Sequence, residues 1–256
     1  VTKRILAIHA HPDDVEFLAA GTLALLAKSG HAITIVTMTP GDLGSTEMTA
    51  EETAATRRRE AANAARLIGA EYFCAEFRDL AIYTDDLSRR RVAEILRRAH
   101  PDIVLTSSPI DYLCDHEATS TLVRDALFGA PIPNYVTGDP NPAPRLHEIP
   151  HLYFMDPLGG VDREDRPVIA DFYADVSESF ETKRRMLMEH KSQREWLLRH
   201  HGVDDYILTM EKQTHEIGRR AGLDLAEGFR RYKGHPYPQS PLLEELLGAR
   251  VHHPAA

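Results

Sequence analysis

Ile5-Leu6-Ala7-Ile8-His9-Ala10-His11-Pro12-Asp13-Asp14 passes within one short stretch from an unbroken apolar run to a cluster of imidazoles and carboxylates. Beyond it, Val15, Leu18, Ala19, Leu23 and Leu26 recur at helical spacing until Gly30. A strand therefore hands over to a helix at His9–Asp14. In an open α/β sheet that junction lies at the carboxyl ends of the strands, where ligands bind. Pro12 biases His11 toward extended backbone, which sets the two aspartates along one turn. A His and an Asp with a second Asp between them offer a metal two ligands and its water a base. The competing reading is structural, since Asp13-x-x-Glu16 also resembles a capping box at the start of a helix.

The chain continues the same alternation. Ile33–Met38 reads as a second strand, followed by the loop Thr39-Pro40-Gly41-Asp42-Leu43-Gly44-Ser45 and an Ala-rich helix over Glu51–Gly69. Tyr72–Cys74, the helix Leu87–Ala99 and the strand Ile103–Ser107 follow. The last of these opens into Ser108-Pro109-Ile110-Asp111-Tyr112-Leu113-Cys114-Asp115-His116, ahead of a helix over Glu117–Phe128. Asp115-His116 thus stands at a second strand-to-helix junction, on the same sheet edge as the first. Two histidines and a carboxylate leave a metal one open position, the requirement for catalysis at zinc. Six prolines make 131–150 a surface loop. His151–Asp156 and Val168–Asp171 are expected strands, and Ser177–His200, Tyr206–Ala221 and Leu242–Leu247 expected helices.

Bulk properties exclude several classes. A chain of 256 residues, 43% hydrophobic, is long enough for one large core. A net charge of -9 argues against a nucleic-acid partner, which requires a basic face. No apolar run is long enough to insert in a membrane, because Gly21 and Thr22 interrupt the stretch Phe17–Ala27. The two cysteines, Cys74 and Cys114, form no disulfide framework, and Val1-Thr2-Lys3-Arg4 carries no signal-peptide pattern, so the expected location is cytoplasmic. A nicotinamide-dependent oxidoreductase lacks support, since no G-x-G-x-x-G follows the first strand.

Five motifs together make the chain similar to the PIG-L/LmbE family of zinc-dependent N-deacetylases. They are Ala10-His11-Pro12-Asp13-Asp14 after the first strand, Thr39-Pro40-Gly41-Asp42-Leu43-Gly44 after the second, Arg57 with Glu60 in an R-x-x-E element, Leu113-Cys114-Asp115-His116 at the place of H-x-D-H, and Lys183–Gln193 matching K-x(6)-H-x-S-Q. The resemblance implies that His11, Asp14 and His116 bind Zn2+ and that Asp13 is the general base. It also implies a substrate-binding role for Arg57, taken here with Asp42 and Asp111, and makes Asp115 an outer partner that orients an imidazole. Of the run Arg57-Arg58-Arg59, at most one member is expected to turn inward. The implied reaction is hydrolysis of an N-acetyl or other N-acyl amide on an amino sugar or glycoconjugate, giving a free amine. Family members are often homo-oligomers, and the same is expected here.

One position departs from the family. Leu113 stands where the first histidine of H-x-D-H is assigned to the oxyanion, and a leucine donates no hydrogen bond. Losing one such donor typically costs on the order of 10²- to 10³-fold in rate. His147, His151, His190, His215 and His235 are other histidines in the chain, with His235 the candidate compensating acid because His235-Pro236-Tyr237-Pro238 could reach over a site, its own or a neighbouring subunit's. Cys114, at the variable position of the motif, is a candidate fourth zinc ligand, with a small buried core residue as the structural alternative. The alternative function is a non-catalytic zinc- or sugar-binding relative. The fold expected is α/β, a single domain over 1–256 with a Rossmann-like, mainly parallel sheet, helices on both faces and 234–256 as a peripheral C-terminal tail.

Overall fold

A computed structural model describes residues 1–195 and 205–254. The stretch Ile5–His9 is buried on both faces, as a strand covered by helices on both sides must be. Strands β1 (Arg4–His9), β2 (Ala32–Thr37), β3 (Glu71–Cys74), β4 (Ile103–Thr106), β5 (His151–Met155), β6 (Phe172–Asp175), β7 (Ala226–Arg231) and β8 (Val251–His252) form one sheet. Its order is β3-β2-β1-β4-β5-β7-β6-β8, parallel from β3 to β5 and antiparallel beyond.

Period-two alternation divides the core. Ile5 and Ala7 of β1 face helices α1 (Asp14–Lys28), α2 (Ala50–Arg66), α5 (Phe180–Met188), α6 (Asp205–Arg220) and α7 (Leu242–Leu247). Leu6 and Ile8 face α3 (Asp86–Ala99) and α4 (Cys114–Gly129). Because β1 leads to α1 on one face and its neighbour β4 leads to α4 on the other, the chain parts between them. The crevice of an open α/β sheet forms at such a switch point. Both junctions picked out in the sequence open into it. No helix among the described residues is long and apolar enough to cross a membrane.

Four expectations change. Residues 168–171 are not a strand; pairing begins at Phe172, where Phe172 and Ala174 can point into the core. β7 was not expected, because Glu227, Arg230 and Arg231 conceal a strand whose start is buried. The helix over Ser177–His200 starts at Phe180 and breaks after Met188; residues 191–195 are helical again and the rest of it, with Trp196, lies outside the described residues. Finally, the expected tail 234–256 is, over its described residues 234–254, not peripheral: Leu243 and Leu247 are buried in the core and β8 pairs with β6.

Candidate active site

The turn after β1 does not cap α1. Asp13 is the residue before the helix, in the left-handed region (φ 98°), and its side chain makes no cap hydrogen bond. Aspartate tolerates this conformation better than most residues, and the unusual backbone aims its carboxylate away from the helix end. Asp14, the first helical residue, points back over the loop. Its Oδ2 accepts from the His11 amide at 2.8 Å and lies 2.6 Å from His9 Nδ1, 3.3 Å from His11 Nδ1 and 3.4 Å from His116 Nε2. Three imidazoles therefore surround one carboxylate oxygen.

Two of the rings are fixed from behind by carboxylates. His11 Nε2 meets Asp79 Oδ1 at 3.0 Å and Asp115 Oδ2 at 3.3 Å, while Asp115 also accepts from the Leu80 amide at 2.7 Å. His116 Nδ1 meets Asp111 Oδ1 at 2.9 Å. Helix α4 starts at Cys114, earlier than expected, so His116 is set in its first turn rather than in a loop. Ring nitrogens held in this way leave the opposite nitrogens aimed forward, the usual arrangement behind a metal-ligating histidine.

Among the described residues, the groups that could hold a cation are His9 with Asp14 and His116, and His11 with Asp79 and Asp115. Geometry separates them. In a tetrahedral zinc site with bonds of about 2.05 Å the ligand atoms stand about 3.3 Å apart. The separations of Asp14 Oδ2 from His11 Nδ1 (3.3 Å) and from His116 Nε2 (3.4 Å) match that edge. His9 Nδ1, at 2.6 Å, is at hydrogen-bond distance instead. His116 Nε2 is buried with no hydrogen-bond partner, a costly state that a cation would relieve. Asp79 and Asp115 sit on the far nitrogen of His11 and are tied to backbone amides of Leu43 (3.2 Å) and Leu80 (2.7 Å). They therefore read as orienting groups.

The two adjacent carboxylates are driven apart electrostatically. Burial opposes ionisation of Asp14, yet His9, His116 and the hydrogen bond from His11 outweigh it and hold Asp14 well below the usual carboxylate range. For Asp13, burial and the neighbouring charge of Asp14 win over Arg57, and its pKa is raised. A split pair of this kind gives one permanent anion and one group able to exchange a proton. His11 and His116 are raised, because the surrounding aspartates overcome burial. His9 is lowered, chiefly by burial.

Asp13 Oδ2 accepts from Tyr206 Oη at 2.6 Å and from Arg57 Nη2 at 3.3 Å. The same guanidinium donates to the carbonyls of Pro12 at 2.7 Å and Gly41 at 3.1 Å. The loop glycines make room for it: a Cβ on Gly41 or Gly44 would stand 2.3 or 2.5 Å from Arg57 Nη1. Arg57 is the inward member of its run, with Arg58 paired to Glu76 and Arg59 exposed. Glu60 accepts from the Ser192 amide at 2.9 Å and hydroxyl at 2.6 Å. Lys183 forms a buried pair with Glu227 at 2.7 Å, and His190 lies buried 3.4 Å from Glu16. The late motif thus braces the early ones.

A cavity of about 600 Å³ opens over this cluster, reaching His11, Asp13, Asp14, Arg57, Asp79 and His116 at its base. Leu113, at the start of α4, lines it. The remaining expected residues are elsewhere. Asp111 is buried behind His116, so its carboxylate is part of the imidazole support and not of the cavity wall. Asp42 lies in a separate depression with Pro40, Arg58 and Glu76. His235 is exposed at the opposite sheet edge: β7 runs antiparallel to β5, Tyr232 bonds Leu152, and His151 at the start of β5 bonds Ser240 at 2.8 Å. It cannot serve this site within its own chain. His147 and His215 do not line the cavity either. Cys114 is exposed rather than buried. Sequence reasoning missed Asp79 and Tyr206. Asp79 follows β3 at the productive edge, a signal that the same topological rule supplies; Tyr206 follows no parallel strand and has no such signal.

The PIG-L family profile, described as GlcNAc-PI de-N-acetylase, matches residues 6–127. Among curated proteins, a 4-oxalmesaconate hydratase of Pseudomonas putida is 29% identical over 189 residues, 71% of this chain and 70% of that protein. A diacetylchitobiose deacetylase of Thermococcus kodakarensis is 28% identical over 198 residues, 75% of this chain and 70% of that protein. Among solved structures, the N,N'-diacetylchitobiose deacetylase of Pyrococcus horikoshii shares the fold with a TM-score of 0.75 and 24% identity, over 94% of this chain and 88% of that one. The motifs singled out in the sequence meet in space at the switch point of a shared fold, and over residues 6–127 this chain is similar to the PIG-L family.

Proposed function

We propose that the protein is a zinc-dependent hydrolase that cleaves an N-acetyl or other N-acyl amide of an amino sugar or glycoconjugate, releasing a carboxylate and a free amine. The observation that carries this reading is the division of labour in Asp13-Asp14, where one carboxylate faces two braced imidazoles and the other stands apart with a raised pKa. His11 Nδ1, Asp14 Oδ2 and His116 Nε2 would hold the metal. Zinc bound there supplies Lewis acidity toward a water and the acyl carbonyl. Asp13 takes the proton from the attacking water and returns it to the leaving amine. Arg57 and Tyr206 fix the carboxylate through Oδ2, and Arg57 also anchors the loop that presents it. Asp111 and Asp115 orient His116 and His11.

Leu113 leaves the oxyanion donor to another group. Tyr112 takes that role in this reading: it lines the cavity, its ring lies edge-on 5.5 Å from His116, and its hydroxyl makes no hydrogen bond among the described residues. The reading places the enzyme in the cytoplasm, in keeping with two free cysteines, and its expected homo-oligomer is checked by light scattering.

The similarity to the hydratase supports a second reading, addition of water to a double bond, the class of reaction that this relative's name states. A binding-only relative is the third. One assay separates them. Metal-loaded protein should release acetate from N-acetylglucosaminyl compounds, and Asp13→Asn should abolish release while metal stays bound. Hydration of an unsaturated oxo-acid without amide cleavage would replace the first reading by the second. Metal uptake without either turnover would leave the third.

A further inference from the structure

A pyranose carries several hydroxyl groups, and a pocket that excludes water must give each a partner. The three residues expected to do so are committed or turned away. Arg57 has both Nη groups bound, to Pro12, Gly41 and Asp13, with only Nε unpaired, Asp111 lies behind His116, and Asp42 lies outside the cavity. Of the polar groups at the base, Asp79 is bonded to His11 and Tyr206 to Asp13. Beyond that base the wall is made by Leu18, Leu43, Leu80, Leu113 and Leu158 with the ring of Phe17. Only Gln193, Thr209 and the Tyr112 hydroxyl add polarity there among the described residues.

The rim carries the same character. Leu43 and Leu80, 55% and 57% exposed, stand at the mouth of the cavity. Past Tyr112, Leu158 and Thr209 the cavity continues into a second trough of about 660 Å³, so the space is elongated, with the apolar seat ending at Leu158 and Val161 where Asp162, Lys212, Glu216 and Arg219 begin. Even the departure from the family adds to the pattern, since Leu113 places an alkyl group beside His116.

We infer that the substrate carries an extended apolar group next to the scissile amide, seated against Leu43, Leu80, Leu113 and Leu158. The inference rests on the amide-hydrolase reading of the site. An apolar group can reach this position from the acyl side, as an N-acyl chain longer than acetyl, or from the sugar side, as an apolar aglycone.

Two substrate series distinguish the sources on the metal-loaded protein: glucosamine bearing N-acetyl, N-butyryl and N-octanoyl groups, and N-acetylglucosamine bearing methyl, butyl and octyl aglycones. Burial of a methylene is worth about 0.8 kcal/mol, so kcat/KM should climb about threefold to fourfold per carbon in one series until the cavity is filled. Leu80→Asn, at an exposed rim position that the core does not need, should flatten that climb. Values that stay level or fall from the shortest member in both series, with acyl group released, would overturn the inference and spare the amide-hydrolase reading. If nothing is hydrolysed, calorimetry on the metal-loaded Asp13→Asn protein decides. Tighter binding of the octanoyl or octyl compound than of its short counterpart supports the apolar seat and removes the hydrolase. Equal or absent binding overturns both.

Discussion

Asp111→Ala separates a substrate contact from a metal-supporting one. Asp111 is 2% exposed, and its Oδ1 holds His116 Nδ1 at 2.9 Å while also accepting from the Leu113 amide at 3.3 Å. Without it the imidazole is free to rotate, and its Nε2 no longer points at Asp14. Removing a carboxylate of this kind typically costs 10- to 100-fold in metal affinity, or about 1.4–2.7 kcal/mol. Asp111→Asn keeps an acceptor and loses the charge, so its loss should be smaller. The assay is competition for zinc with a chromophoric chelator, followed by KM and kcat at saturating metal. The expected result is weakened zinc binding with KM little changed once metal is restored. Zinc affinity within twofold of wild type together with a raised KM would refute the reasoning and return Asp111 to the substrate.

Tyr112→Phe should lower kcat by on the order of 10²- to 10³-fold with metal affinity unchanged, if its hydroxyl replaces the family's histidine; steady-state kinetics with less than a threefold effect would remove it from that role. Gly41→Ala puts a methyl 2.3 Å from Arg57 Nη1 at a residue with φ 66°, which should cost about 2–3 kcal/mol, lower Tm by roughly 5–10 °C and reduce turnover as Arg57 leaves Asp13. The pH dependence has a defined sign. In the metal-free protein His11 and His116 have pKa values raised above 6.5, as their aspartates outweigh burial, so the stability they contribute is complete below 6.5 and lost as pH rises through the raised values. Metal needs the same nitrogens unprotonated, so the Tm increment caused by zinc should grow with pH across that window. Paired melting curves with and without zinc giving a pH-independent increment would contradict it.

That the groups of the first two junctions come together in the candidate site was legible because local signals and topology agreed there. An apolar strand that ends in His-x-His-Pro-Asp-Asp must expose those groups at the sheet edge, and Asp115-His116 follows a strand on the same edge. The capping reading of Asp13 was equally legible and failed for a reason no local pattern carries: Tyr206 and Arg57, distant in sequence, draw its carboxylate away from α1. Asp111 is expected from sequence at the substrate and Asp115 behind an imidazole; that both stand beside imidazoles depends on α4 starting at Cys114. β7 was illegible because its charges are matched by remote partners, Glu227 by Lys183 and by the amides of Gly21 and Thr22, and Arg230 by Ser108 at 2.7 Å. A strand whose polar groups are satisfied across the fold has no amphipathic pattern to read. Likewise 234–256 has a polar, proline-interrupted beginning, yet Leu243 and Leu247 complete the core beside α1.

The central claim is that a metal held by His11, Asp14 and His116 works with Asp13 to hydrolyse an N-acyl amide. Its most direct test measures carboxylate and free amine together from an N-acylated amino sugar, using zinc-loaded, chelated and Asp13→Asn protein with bound metal quantified in each. Equimolar products are expected from the zinc-loaded protein, with loss on chelation, recovery on adding zinc, and no turnover by Asp13→Asn with its metal still in place. Undiminished turnover by metal-replete Asp13→Asn, or no release of carboxylate and amine by fully zinc-loaded wild type across the acyl and aglycone series, would contradict it.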